Sequence, residues 1–330
     1  MTRAPSRRQW LRLSLGLAGA AALPGAAQVP ALQWRERVWL GFGTTLWMRA
    51  AHAHADQADA ALDAALAATR HVERQMSLFD PQSALCQLNR DGVLHNPHPD
   101  LVAVLTLARK VAQRSQGAFD VSVQPLWAAW ARAHAEGRSP TRGELNAARR
   151  RVDWRAIHVE SERITLRRRG MALTLNGIAQ GYAADLARAA LRSHGIQHAL
   201  LNTGEWSTLG SGPDAQPWTL GIADPHVAGA LIARLRAESR AVATSSDAHM
   251  SFSADHRQHH ILDPRTGQSP EELSSVTVVA HSGALADALT KVVFMGGWNR
   301  AMGLAVEHRV DVLVVDKRGR WQASAGLQLT

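Results

Sequence analysis

The sequence predicts a mixed α/β body, an α+β arrangement built on one sheet system, and three observations carry that expectation. Short apolar stretches with strand character alternate along the chain with amphipathic helical ones. No internal repeat and no low-complexity linker separates them, so a string of independent modules is not expected. The third observation is Leu175-Asn176-Gly177-Ile178-Ala179-Gln180-Gly181-Tyr182-Ala183-Ala184-Asp185. It follows a strand-like lead, Ala172 to Leu175, and opens a helix that runs toward Gly195. A glycine-containing turn of this kind leaves backbone N–H groups without partners at the helix start, where anions bind. The turn therefore suggests a phosphate-bearing ligand, against the plainer alternative of a strand passing beneath a helix.

The 330 residues, 46% hydrophobic and 20% charged, suffice for one large domain or two modest ones with an ample core. The formal charge is +9, but Arg3, Arg7, Arg8 and Arg12 contribute four of those charges from within residues 1–27, which hold no acid. No basic stripe interleaved with aromatics remains, which argues against a nucleic-acid partner. Ser6-Arg7-Arg8-Gln9-Trp10-Leu11, the apolar run from Leu13 to Leu23 and the exit Pro24-Gly25-Ala26-Ala27 read as a twin-arginine export signal, against the plainer alternative of a basic amphipathic N-terminus. Residues 1–27 are thus expected to be a signal peptide, residues 28–330 the working domain, and the location periplasmic. The run is too short and too rich in Gly and Ala for a stable membrane span. Cys86 is the sole cysteine, which rules out an internal disulfide.

From Val38 to Met48 the chain reads as a first strand with a kink at Gly41-Phe42-Gly43-Thr44-Thr45. Asp56 to Met76 and the run Leu101, Val104, Leu105, Ala108, Val111 and Ala112 have helical spacing, with Gly117 placed to stop the second. Between them Met76 to Ser83 leaves as a loop, and Ala84 to Asn89 forms a further helical turn. Gly117 to Trp127 reads as a buried crossover, Ala128 to Arg151 as helix broken by Gly137 and Pro140. A hairpin follows at Val152–Val159 and Arg163–Leu166. Further strands are expected at Ala199–Thr203, Trp218–Asp224, Ala241–Asp247, Val276–Ala280 and Val310–Val315, with a small-residue helix from Ala284 to Met295 and a final hairpin.

Candidate chemistry is sparse when taken residue by residue. His256, His259 and His260 lack a carboxylate or cysteine at zinc spacing, so one of them as general base is the better reading, beside a plain turn histidine. Asp287 and Lys291, four apart on one helix face, read as an ion pair or as part of a magnesium site beside a phosphate. No G-x-S-x-G elbow frames Ser83, Ser245 or Ser246, and both the dinucleotide G-x-G-x-x-G and the Walker pattern are absent.

Several stretches, in order, resemble the FAD:protein FMN transferase family (ApbE type). They are Gly41 to Thr45, Met76 to Phe79 with Ser83 to Asn89, Gly117 to Leu126, Trp218 to Pro225, His259 to Gly267 and Ala286 to Lys291. The resemblance implies a two-lobed body with FAD held between the lobes. It also implies magnesium-dependent transfer of FMN from FAD to a Thr or Ser of exported client proteins. An FAD-binding protein or an FAD pyrophosphatase without transfer is the alternative. By resemblance, Phe42 and Phe79 would touch flavin or adenine. Ala118, Phe119, Asp120, Thr174 and Gln180 would line the FAD site, and His260 would lie near the transferred phosphate as base. Gly177 through its carbonyl and Asp287 through its carboxylate would hold the metal, with Lys291 or Thr290 at the remaining position.

Three motifs depart from the family pattern. Thr174 and Gln180 stand where an acid and a base are usual, Asn202-Thr203-Gly204-Glu205 replaces N-x-G-G, and Lys291 takes the place of a metal-binding threonine. An ammonium there would repel a divalent cation. No D-x-x-[ST]-G-A-[ST] acceptor occurs in the chain, so it is not expected to be its own client.

Overall fold

The structure, a computed structural model, describes residues 31–330 except His249. The expected export leader at residues 1–27 lies outside the described residues. Residues 32–330 form one contiguous unit.

The first strand is in fact two. β1 (Gln33–Gly41) and β2 (Thr44–His52) pair antiparallel, Gly41 opposite Thr44. Phe42 and Gly43 form a two-residue turn with φ of 49° and 76°. Two consecutive positive φ values define the turn whose twist suits a hairpin, so the glycines make a reversal, not a kink. α1 (Ala55–Met76) and α2 (Ala84–Asp91) follow, with Ser83 capping α2 by accepting from the Cys86 N–H. The half-buried Cys86 Sγ lies 3.6 Å from the carbonyls of both Ser77 and Leu78.

β3 (Val93–His95) and α3 (Pro99–Arg114) come next. His98 caps α3 through Nδ1, which accepts from the Asp100 N–H. His71 and Asp100 approach it, and the Tyr182 hydroxyl donates to the other Asp100 oxygen. With the Nδ1 lone pair already aimed at a backbone N–H, this cluster is a helix cap, not a metal centre.

A 3-10 turn at Val121–Val123 leads into α4 (Gln124–Ala135), then α5 (Arg142–Arg149), opened by a capping box between Thr141 and Glu144. β4 (Ile157–Val159) and β5 (Arg163–Leu166) form a three-stranded sheet with β3, shorter than the expected hairpin because Trp154–Ala156 is a 3-10 turn. The strand-like lead at Ala172 to Leu175 pairs with no strand. Its backbone is instead held by the Asn89 side chain, which donates to the Leu173 carbonyl (2.9 Å) and accepts from the Leu173 N–H (2.6 Å), and by the Val121 carbonyl, which accepts from the Thr174 N–H. A side-chain amide does here what a neighbouring strand would do.

α6 (Ala179–Ser193) runs into β6 (His198–Asn202), β7 (Trp206–Leu209), the ribbon of β8 (Thr219–Ala223) with β9 (Leu231–Arg236), then β10 (Ala241–Ser246) and β11 (Leu273–Ala280). α7 (Gly283–His308), broken at Gly297, β12 (Asp311–Asp316) and β13 (Trp321–Ala323) complete the chain. The expected small-residue helix ends near the break, where φ is 72° and the Glu272 carboxylate accepts from the Trp298 N–H.

The large sheet has eight strands in the order β1-β2-β6-β7-β10-β11-β12-β13, every pair antiparallel. Its two faces separate by the two-residue period of a strand. Val312 and Val314 join Ala243, Val276 and Val278 beneath α3, α6 and α7, while Leu313 and Val315 join Val242, Val279 and the β8–β9 ribbon. β1, β2 and β6 bury Trp39, Leu46, Met48 and Leu201 against α1 and α6 in a continuation of the helical side. α4 and α5 stand apart on their own cluster, Leu126, Trp130 and Leu145 with Leu262, and the Trp130 indole N–H donates to the Gly267 carbonyl at 2.9 Å. The chain is therefore α+β, with an arm (α4, α5 and the 259–267 loop) set against the sheet-and-helix body.

Candidate active site

A cavity of about 660 Å³ opens between that arm and the body. This lies within the usual range of small-molecule and cofactor sites. Thr44, Thr45, Asn202, Gly204, Glu205, Thr244, Ser245 and Ser246 line it from the sheet, and Thr174, Asn176, Gly177 and Gln180 from the start of α6. Ala118, Phe119, Asp120 and Trp127 face them from the arm side, together with His260 and Leu262, while Lys291 reaches in from α7. Phe79, 76% exposed, stands at the mouth.

Glycines set the floor. A Cβ on Gly181 would come 2.1 Å from the Gly283 carbonyl oxygen, so α6 and α7 touch backbone to backbone there. That contact brings the Gly181 N–H to 3.4 Å from Asp287 Oδ2. Gly204 has φ of 95° and lies against the Gln180 side chain, whose amide nitrogen a Cβ would meet at 2.2 Å. Gln180 thereby spends its side chain closing the floor. Ile178, at the N-cap of α6, supplies no side-chain cap.

Asp287 is 1% exposed and pairs with Lys291, Oδ1 to Nζ at 2.5 Å, while the Asp287 carbonyl accepts from the same ammonium at 3.2 Å. The Lys291 Cε lies 3.0 Å from where a Gly177 Cβ would be. Thr290 is turned away. Its hydroxyl donates to the Asp287 carbonyl at 2.6 Å and lies 2.7 Å from Ser245 Oγ. Glu205 is buried and accepts from the Thr244 N–H at 3.1 Å. Burial, then the nearby Asp287 charge, push its carboxyl well above the ordinary range, against the opposing pull of Lys291.

A magnesium ion between Gly177 and Asp287 does not fit this donor set. The slot holds an ammonium, the Thr290 hydroxyl is committed elsewhere, and magnesium demands near-octahedral oxygen ligands at about 2.1 Å.

The other expected site residues fall as follows. Asp120 is buried and caps the turn at Val121–Val123. Its carboxylate accepts from the Ser122 N–H and hydroxyl and from the Trp154 N–H, and burial raises its pKa despite those bonds. His260 Nδ1 lies 2.9 Å from the Met250 carbonyl, so the neutral ring carries its proton on Nδ1 and its lone pair on Nε2. His259 is fully buried. Its Nε2 donates to the Pro270 carbonyl, and burial pulls its pKa down to about 4. His256 does not line the cavity; its Nδ1 lies 3.4 Å from the Asp247 carbonyl. Phe42, in the hairpin turn, packs against the cores beneath the sheet, its N–H donating to the Glu73 carboxylate. It does not line the cavity; nor do Asp287 and Thr290, which lie behind Lys291. Sequence reasoning missed Trp127, Trp206 and Thr244 as lining residues. Only the hydroxyl run at the end of β10 carried a signal.

A cleft of this size in an α+β body, with amide, hydroxyl and ammonium groups converging on it and an aromatic at its mouth, defines a binder of an extended polar ligand. The ApbE family profile matches residues 42–314, and the chain belongs to that family. A FAD:protein FMN transferase of Treponema pallidum is 30% identical over 297 residues, 83% of this chain and 82% of its own. One from Vibrio cholerae is 30% identical over 74% of this chain and 76% of its own. The crystal structure of the ApbE protein of Thermotoga maritima superimposes with a TM-score of 0.80 at 26% identity, over 89% of this chain and 97% of its own.

Proposed function

We propose that this protein is a flavin transferase that moves FMN from FAD onto a Thr or Ser hydroxyl of exported client proteins. The observation that carries this reading is convergence. Gly117–Trp127, the turn at 174–180, Asn202–Glu205 and the 260–264 loop, far apart in sequence, line one cavity large enough for a cofactor. The relatives named FAD:protein FMN transferase support the choice of ligand and of reaction class.

The client hydroxyl oxygen attacks the phosphorus that bears riboflavin. A new P–O bond forms to the client, the bridging P–O bond breaks, and AMP leaves with its electron pair. The hydroxyl proton passes to the His260 imidazole, whose Nδ1 proton is held by the Met250 carbonyl so that Nε2 is the basic atom. The backbone at the start of α6 and the hydroxyls of Thr244 and Ser246 supply donors to phosphate oxygens. The magnesium implied by the family resemblance does not fit the donor set, and no step here depends on it. The reaction takes place after export, in the periplasm.

The test is to incubate the purified protein with FAD and a peptide bearing an acceptor threonine and to weigh the products. An FMN adduct on the peptide is expected. Free FMN and AMP without adduct would identify a pyrophosphatase, and unchanged FAD a binding protein.

A further inference from the structure

We propose that the Lys291 ammonium is the resident cation of this site, occupying the slot between Gly177 and Asp287 and serving the ligand's pyrophosphate in place of a divalent metal ion. Naming the ligand rests on the flavin-transferase reading; exclusion of the metal does not.

Three contacts carry the proposal. The ammonium touches Asp287 twice, at Oδ1 (2.5 Å) and at the main-chain carbonyl (3.2 Å), so one cation already takes a carboxylate oxygen and the main-chain oxygen of Asp287. Its methylenes lie against the Gly177 backbone, where a Cβ would come 3.0 Å from Cε and the lysine stem would have to give way slightly. The neighbouring hydroxyl cannot replace it, because Thr290 is fully buried and bonded to Ser245 and to the Asp287 carbonyl.

The charge is also directed. Asp287 is 1% exposed and Lys291 22%, and of the two only Lys291 lines the cavity. The helical i,i+4 spacing sets the pair in register, and the buried carboxylate fixes the flexible lysine stem. What faces the ligand is a single positive charge on a covalent tether. Such a cation has no binding equilibrium, cannot be removed by a chelator, and repels a second cation from the slot.

Two measurements test this. Manganese is titrated into the protein, without flavin, and free ion is followed by EPR. The wild type is expected to bind no stoichiometric Mn²⁺, Lys291→Thr to bind one ion, and Lys291→Thr with Asp287→Asn to lose it. Wild-type binding of one ion that Asp287→Asn abolishes would overturn the proposal. So would a folded Lys291→Thr protein that binds no more than the wild type. FAD affinity of the unmodified protein is then measured by flavin fluorescence in EDTA and in excess magnesium. Equal affinity is expected; a loss of roughly tenfold or more in EDTA overturns the proposal even if the variants fail to fold. Absence of FAD binding in both conditions removes the flavin reading alone, and the manganese titration still decides the role of Lys291.

Discussion

His259 and His260 are neighbours in the chain and opposites in environment. His259 is fully buried beside Phe294, its ring neutral because burial holds the pKa to about 4, whereas His260 borders the cavity. The folded pKa of His259 lies below the unfolded value near 6.5, so the unfolded chain takes up the extra proton first. Its stabilisation is complete above about pH 6.5 and is lost as pH falls toward about 4, with a ceiling on the order of 3 kcal/mol. Urea unfolding from pH 7 to 4.5 is expected to show this decline, and His259→Gln to flatten it. Nothing in the sequence separates the two rings, since the His-His pair has the same local pattern whichever member turns inward. The motif around them was legible; the burial was not, because it depends on Ser269 and Pro270 folding back over one ring. At Lys291 the reverse holds. The departure from the family pattern was plain in the sequence, and the structure adds that the ammonium is already seated on Asp287.

At the scale of elements, the amphipathic helices α1 and α3 and the apolar strands β10, β11 and β12 could be read from apolar spacing, because each buries one or both faces in a core. β3, β7 and β9 could not. β3 and β7 are short and carry one β-branched residue each, where the equally short β4 and β5 carry two, and β9 interleaves arginines with its apolar positions. The stretch from Ala172 to Leu175 was misread for a different reason. Its apolar alternation is real, but an amide from α2, not a strand, completes its backbone bonds. The crossing of α6 and α7 at Gly181 and Gly283 carries the strictest demand. Gly181→Ala places a methyl on a carbonyl oxygen, which overpacking of this kind makes costly by about 1–3 kcal/mol, and moves the floor of the cavity. Thermal unfolding should register the loss of stability, and flavin fluorescence a parallel loss of FAD affinity. Retention of both would mean that the helices separate without disturbing the site.

For the molecule as a whole, α+β architecture followed from composition and alternation, but the position of the cavity did not. It lies where the arm of α4, α5 and the 259–267 loop meets the body, and its walls come from segments between Thr44 and Lys291. Only collinear resemblance linked those segments in advance. No described helix is long and apolar enough to cross a membrane. If residues 1–27 direct export as proposed, Arg7→Lys with Arg8→Lys is expected to leave the protein in the cytoplasmic fraction, as cell fractionation and immunoblotting would show. Periplasmic recovery of that double variant would dismiss the twin-arginine reading while leaving the transfer chemistry intact.

The lone thiol gives this chain a native reporter. Cys86 sits half-buried beneath the carbonyls of Ser77 and Leu78, the turn that carries Phe79 to the mouth of the cavity. A thiol-specific dye can therefore attach at one place only, without any engineered residue. Its labelling rate records how often that turn lifts. Stopped-flow labelling should slow when FAD fills the cavity; an unchanged rate would mean that the mouth stays rigid while ligand comes and goes.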